Sequence, residues 1–461
     1  MHLWRQCNTL AMARNFLEEG MNPFKPRVDN RFDTEGVTGS QFPSFEILLA
    51  SIYKVTGEHY WAQRTFCLFL HVLGLVGIFL FVKTLTHSQS YGNMAVWTYA
   101  WSPMLFYYAI TALPDNLALP CSLWGMYAFL KWFKAWTVHK RFSFLWMLFS
   151  FLCITVAGLT KIQYLALGFF IVGYVWVNRK TLLIKHWIIF SVFGATSSTL
   201  ALSWYMYAQR LIDKSGLQDF GLKFKPEDDF KRGLTTLISN LTSTLPENIL
   251  NYSSFVFVVI GIYFLLVKKS PRNKLRIPFL LWSGVFVIYH FVELRQMEHH
   301  DYYMMAYMPI LITASSYGVL KLLDSKWMTY VAILVSIQPL LAYARIAPAR
   351  FLSVETDDKN IFYHEESLER LQACVPSNSL CVVGPDNSRC IYFYFLKKKG
   401  FGFGEEGLNE ETLKDAVQRG AKYLYISDQA ISQQQVLEPY IDSALCNEGN
   451  FYVYSLKIPN K

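Results

Sequence analysis

Ten apolar runs, each nearly free of charge, constrain this chain more than any other feature. They cover residues 66–83, 91–108, 117–130, 142–159, 164–177, 187–207, 255–267, 277–292, 302–320 and 327–343. Most approach the roughly 20 residues that an α-helix needs to cross the hydrocarbon core of a bilayer, and the flanks extend the shorter ones. A water-soluble helix would break such runs with a polar face. Lipid offers no partners to an open sheet edge, so the spans are expected to be helical. The pattern predicts a polytopic α-helical membrane protein of about ten spans.

The charge pattern orients those spans. The net charge of +9 is not spread as a nucleic-acid footprint but gathers in short loops. Residues 131–141 hold four Lys/Arg, 179–185 three, 268–276 five and 321–326 two. The positive-inside rule makes these loops cytoplasmic. With alternating spans, residues 1–60, 109–117, 160–163, 209–251, 293–301 and all that follow 344 then lie outside. The expected localisation is the cell's inner (plasma) membrane, multi-pass, with the polar face and the C-terminal tail extracytoplasmic.

Three regions follow: a first extracytoplasmic loop with interfacial helices (1–60), a transmembrane helical domain (61–345) and a soluble extracytoplasmic α/β domain (346–461). Residues 43–55 fit a helix lying in the membrane interface. In the tail, 380–384 and 391–396 read as strands, 409–419 as an amphipathic helix stopped by Gly420, and 421–427 and 450–456 as strands. No Gly-rich phosphate loop opens that helix, so the tail reads as a support or acceptor-binding module. The first region starts at Met1-His2 with no signal peptide and no preceding span. A 60-residue external segment of that kind is hard to translocate, so the reading expects a start placed late or a first helix lost. Of eight cysteines, Cys67, Cys121 and Cys153 fall in apolar runs as small fillers. Cys374, Cys381, Cys390 and Cys446 fall in the tail, where one or two disulfides are compatible with an external location. Asn240-Leu-Thr and Asn251-Tyr-Ser are formal N-glycosylation triplets.

The informative polar residues stand at the outer ends of the spans. The first region carries His2, Arg5, Arg14, Asp29, Asp33 and Glu35; Arg64 follows at the start of a span. Asp115, after Pro114, opens another span, where a carboxylate also suits the helix dipole. Lys161 sits on a short outer turn followed by Tyr164, and Arg295, His300, Asp301, Tyr302 and Tyr303 form a third cluster. Charge at a membrane edge costs several kcal/mol and is functional by default. The arrangement suits an amphipathic substrate: a lipid tail between helices, a phosphate held by Lys and Arg, and a polar head outside. A carboxylate would take the proton of an acceptor hydroxyl, and the cations would stabilise the departing phosphate. Adjacent His299 and His300 point apart on a helix, and neither CxxC nor HExxH occurs. No cofactor is therefore required, although a divalent metal is compatible with the cluster.

The run Trp4-Arg5-Gln6, Ala11-Met-Ala-Arg14-Asn15-Phe16, Pro26-Arg27-Val-Asp29, Gly39-Ser40-Gln41-Phe42-Pro43 and Arg64 resembles bacterial members of the GT-C superfamily. That superfamily contains the dolichyl-phosphate-mannose–protein mannosyltransferases and the lipid A aminoarabinose transferases. Ala112-Leu-Pro-Asp115, Gly158-Leu-Thr-Lys161, His300-Asp-Tyr-Tyr303 and Met308-Pro309 match later landmarks. The resemblance covers roughly residues 2–345. It implies a GT-C helical bundle with an extracytoplasmic active site, a polyprenyl-phosphate sugar as donor, inversion at the anomeric carbon, and a lipid, glycan or protein acceptor. It also implies an acidic base in the first external loop, close behind a first membrane helix. His2 stands where that acid is expected, so Asp29 becomes the candidate base and Asp115 the second. By position, Lys161 and Arg64 would contact the donor phosphate, and Tyr302 or Tyr303 would line the donor cavity. Arg5, Arg14, Tyr164, Arg295 and His300 complete the candidate substrate-binding set.

Two other classes are weighed against this reading. A transporter or flippase often shows internal repeats and broken spans at matching positions, and neither is visible here. A lipid-linked glycan polymerase or ligase would share the donor chemistry, and a non-catalytic membrane scaffold would need none of it.

Overall fold

The computed structural model describes residues 3–137, 143–216, 226–267, 274–323, 325–352, 362, 364–428 and 437–458. The chain divides into two compact units. One comprises Tyr60–Met206 and Leu222–Ser353; the other comprises Met1–His59, Tyr207–Gly221 and Val354–Lys461.

Among the described residues, the regular structure of the first of these is all helical. Each of the ten apolar runs lies in helix, but several are interrupted. The helices Tyr60–Thr86, Ser143–Thr160 and Ile184–Ser215, with the segments Asp301–Leu323 and Met328–Arg350, are long and apolar enough to cross a membrane. A sixth span needs the pair Phe230–Ile249 and Tyr252–Val267, bent by 116° at the break between them. Among the described residues, length and composition therefore give five or six spans where about ten were expected, for identifiable local reasons. The run 91–108 is cut at Ser102, whose hydroxyl accepts from the Leu105 amide and starts a new helix with Pro103 at its first turn. The run 164–177 is divided between the 3-10 turn Ile162–Ala166 and the helix Leu167–Val177. Arg276–Val292 is a shorter apolar helix.

Aromatic packing holds the bundle. Trp132, Trp282, Phe81, Phe129 and Phe170 are almost fully buried. The Phe170 ring meets Trp282 at 5.2 Å and Phe279 at 5.8 Å, in edge-to-face geometry. Lipid-buried helices lack a hydrophobic drive towards one another, so close backbone approach matters more than in water. Gly318 shows this: a Cβ there would overlap the carbonyl of Phe257 on the neighbouring Tyr252–Ile262 helix. The two glycosylation triplets are inaccessible in this fold. Asn240 and Asn251 are buried, and Asn251 caps its helix, accepting from Ser254 N and donating to Trp101 O.

The second unit joins the first 59 residues to the tail. A 17-residue helix, Leu3–Glu19, opens the chain. A second helix, Ser44–Thr56, confirms the helical reading of 43–55. The tail is a five-stranded sheet of β1 (Leu380–Gly384), β2 (Lys399–Gly402), β3 (Tyr423–Ile426), β4 (Ile441–Glu448) and β5 (Phe451–Leu456). Strand order is β2-β1-β3-β5-β4, with β1 parallel to β2 and β3, and β5 antiparallel to β3 and β4. The expected helix is present as Glu410–Gln418, capped by Asn409. The expected strand at 391–396 is instead the helix Ile391–Leu396. Its first amides are satisfied by side chains: Asp386 accepts from Tyr392 N, and Ser388 Oγ accepts from Cys390 N and Ile391 N. Those caps favour a helix over a strand ladder, and left-handed Lys397 ends it. One disulfide, Cys374–Cys446, closes a loop across the tail. Cys381 and Cys390 are free and buried.

Candidate functional site

In the helical unit, three sequence clusters converge. Asp115 opens the Asp115–Thr137 helix and is wholly buried. Lys161 caps the turn Ile162–Ala166, and its Nζ lies 3.5 Å from Asp115 Oδ2. The same ammonium stands 5.4 Å from the Tyr302 ring centroid and 5.2 Å from that of Tyr303. Such cation–π contacts hold a charge while leaving its N–H groups to other partners. Tyr164, fully buried, has its hydroxyl beside Asp115. His300 stacks on Tyr303 at 6.0 Å between centroids.

A second polar knot adjoins the tyrosine pair in sequence. Asp301 is nearly buried and accepts three bonds: Tyr108 Oη at 2.6 Å, Asn248 Nδ2 at 2.6 Å and Arg350 Nη2 at 3.3 Å. The guanidinium of Arg350 lies 4.7 Å from the Tyr107 ring centroid. Tyr108 meets Tyr302 edge-on at 6.4 Å. Four helical segments supply these groups: Pro103–Tyr108, Asn240–Ile249, Asp301–Tyr307 and Ala347–Leu352. The sequence pointed to Asp115, Lys161, Tyr164, His300, Tyr302 and Tyr303. It did not single out Tyr107, Tyr108, Asn248 or Arg350. Only Arg350 offered a signal, as a cation following an apolar run.

In the other unit, Asp29 accepts from Arg14 Nη2 at 2.6 Å and from Asn15 Nδ2 at 3.0 Å. Both partners come from the Leu3–Glu19 helix. Burial works against the Arg14 charge, but Asp29, Glu58, Glu18 and Tyr394 outweigh it and raise its pKa. Burial raises the pKa of Glu58, which sits 3.9 Å from Arg14. The backbone of Asp29 is pinned as well: Gly400 N donates to its carbonyl at 3.0 Å, and Arg31 N donates to Gly400 O at 2.7 Å. Gly400 has φ +152, and a Cβ there would overlap the Cys381 carbonyl, so the position demands glycine. Arg5 Nη2 donates to Gln41 Oε1 at 2.5 Å, and Gln41 Nε2 donates to Glu46 Oε1 at 3.0 Å.

The candidate residues thus fall into two groups, Asp115, Lys161, Tyr164, His300, Tyr302 and Tyr303 in one unit, and Asp29, Arg5 and Arg14 in the other. Arg64 and Arg295 are exposed and engage neither group. His2 lies outside the described residues. Among the described residues no three His, Cys, Asp or Glu side chains gather as metal ligands.

No family model matches the chain, and no curated protein matches it. Solved structures do. ArnT from Cupriavidus metallidurans, bound to undecaprenyl phosphate, superposes with a TM-score of 0.65 at 12% identity, over 98% of this chain and 93% of that one. An oligosaccharyltransferase from Archaeoglobus fulgidus, crystallised with Zn and sulfate, matches with a TM-score of 0.57 at 13% identity, over 95% of this chain and 67% of that one. The same organism's AglB, in complex with an inhibitory peptide and a dolichol-phosphate, matches with a TM-score of 0.57 at 11% identity, over 98% and 70%. The fold of this chain is theirs, as the sequence resemblance implied.

Proposed function

We propose that this chain is a membrane glycosyltransferase that moves a sugar from a polyprenyl-phosphate donor to an acceptor hydroxyl on the extracytoplasmic face of the inner membrane. The observation that carries the proposal is Lys161, held between a buried carboxylate and two tyrosine rings in a fold of the GT-C type. An ammonium so placed suits a lipid-borne phosphate, whose charge grows as it leaves. In the transfer step the acceptor hydroxyl gives its proton to a carboxylate and its oxygen bonds the anomeric carbon. The bond from that carbon to the phosphate oxygen breaks, and polyprenyl phosphate departs with the electron pair, stabilised by Lys161. Attack from the opposite side inverts the anomeric carbon.

Asp115, beside Lys161, is the carboxylate whose geometry best supports the role of base. Asp29 is the base that the family resemblance implies. Hydrogen bonds from Arg14 and Asn15 orient it. The acceptor class (lipid, glycan or protein) follows from the resemblance alone.

The test uses the full chain in membranes, a panel of radiolabelled polyprenyl-phosphate sugars, and Asp115→Asn and Asp29→Asn in parallel. The expected result is label transfer by the wild type, with a loss of about 10²-fold or more in Asp115→Asn. A dead Asp29→Asn beside an active Asp115→Asn would move the base and keep the enzyme class. A wild type that binds no polyprenyl-phosphate sugar would end the reading.

A further inference from the structure

Arg350 combines burial, charge and unused donors in a way that the donor-phosphate reading does not explain. Its side chain is 4% exposed. One nitrogen, Nη2, reaches Asp301 at 3.3 Å. The Tyr107 phenol stands beside the guanidinium, but Nε and Nη1 are buried and neither closes a well-formed hydrogen bond. A guanidinium has five N–H groups and never gives up its proton in a protein. Leaving two of its nitrogens dry and unpaired is among the more costly arrangements a fold can hold. Asp301 does not relieve that cost, because Tyr108 and Asn248 also donate to it at 2.6 Å each. The carboxylate is shared among three donors, and the ring of Tyr107 supports the cation from one side. Asp301, Tyr302 and Tyr303 are consecutive, so Arg350 and Lys161 are held by adjoining residues of one 3-10 turn.

We propose that Arg350 is an anion-binding residue of this site, positioned by Asp301 and taking an oxyanion of the phosphate or carboxylate class through Nε and Nη1. The inference rests on the reading above for the identity of its ligand, but not for the presence of the anion site itself. Two sources carry that chemistry: the phosphate of the lipid donor, or an acidic group on the acceptor. Lys161 and Arg350 then divide the work. If the donor phosphate touches both, they clamp one group. If it touches Lys161 alone, Arg350 selects an acidic acceptor.

The test uses the full chain in detergent, with wild type, Arg350→Gln, Arg350→Lys and Asp301→Asn. Undecaprenyl phosphate, its neutral alcohol undecaprenol, and inorganic phosphate are titrated, with thermal protection as a second readout. Protection of the wild type by inorganic phosphate, lost in Arg350→Gln and partly kept in Arg350→Lys, supports the anion site. That result stands even where the lipid fails to bind, so the site and the proposed function fail separately. An affinity loss of about tenfold or more for undecaprenyl phosphate, with undecaprenol unaffected, assigns the donor as source. Unchanged lipid affinity with a raised acceptor KM and an unchanged kcat assigns the acceptor. Asp301→Asn should shift the same parameter as Arg350→Gln, since it frees the guanidinium from its anchor; a change in Tm alone would reduce Asp301 to a packing role. The proposal is overturned if Arg350→Gln matches wild type in phosphate protection, lipid affinity and acceptor KM, which would mean that water alone fills the gap.

Discussion

Asp29→Asn separates a structural carboxylate from a catalytic one, because the structure sets the size of its structural effect. Asp29 and Arg14 are both almost fully buried and lie 2.6 Å apart. The substitution removes the negative charge and keeps the shape. Arg14 is then left with Glu58 at 3.9 Å as its nearest carboxylate, and burial acts against its charge. Breaking a buried pair from one side costs about 3–5 kcal/mol. The lower end applies here, about 3 kcal/mol, because an amide oxygen still accepts from Asn15. For a unit of this size that is a fall of roughly 6–12 °C in unfolding midpoint. The assay is thermal unfolding of the full chain in detergent, run as a double-mutant cycle with Arg14→Met. Removing both charges replaces an uncompensated cation with apolar volume, so the double variant should recover much of the loss, a coupling of about 1.5–3 kcal/mol. A midpoint for Asp29→Asn within about a degree of wild type, or strict additivity in the cycle, would refute the buried-pair reasoning. A double variant that regains stability without turnover would show that Asp29 acts on the substrate as well.

Three further outcomes are expected. Lys161→Ala should weaken undecaprenyl phosphate binding by about tenfold or more, as the phosphate loses a charged donor; equal affinity in a lipid titration would contradict its assignment. Cys374→Ser opens a loop with a sequence separation of 72 and should lower the stability of the tail by about 4 kcal/mol, read as earlier proteolysis of the tail under mild heating. Arg370 and Ser367 hold the carboxyl of Glu448 down at about 2, against about 4.3 in an unfolded chain. Its contribution is complete above the unfolded value and fades as pH falls towards 2, so the unfolding curves of wild type and Glu448→Gln should converge over that window and differ above it.

What was legible in the sequence divides by the range of the forces involved. Apolar runs between residues 66 and 343 announced helices, since burial in lipid leaves one solution for the backbone. Their breaks were harder to see. Ser102 and Pro103 cut one run with a single hydroxyl cap and a proline, which a hydropathy window averages away. The Ile391–Leu396 helix hid for the same reason: its own six residues are apolar and aromatic, and its fold is decided by Asp386 and Ser388 upstream. The Leu3–Glu19 helix was obscured by its charges, because Arg5, Asn8, Arg14 and Asn15 are buried along with its apolar residues. A helix buried on every side, polar residues included, needs polar partners, and here they are distant in sequence. The site followed the same rule. Asp115, Lys161 and Tyr302 could each be picked out because charge or an aromatic at a membrane edge is costly or purposeful. Their grouping depends on separations of 46 residues and more along the chain. Asn248 and Arg350 reach Asp301 from segments that read as a polar connection and the start of a tail. A polar residue that serves another polar residue leaves no periodicity. It becomes visible only when the buried donors of a fold are matched to their acceptors, and that matching is what isolates Arg350.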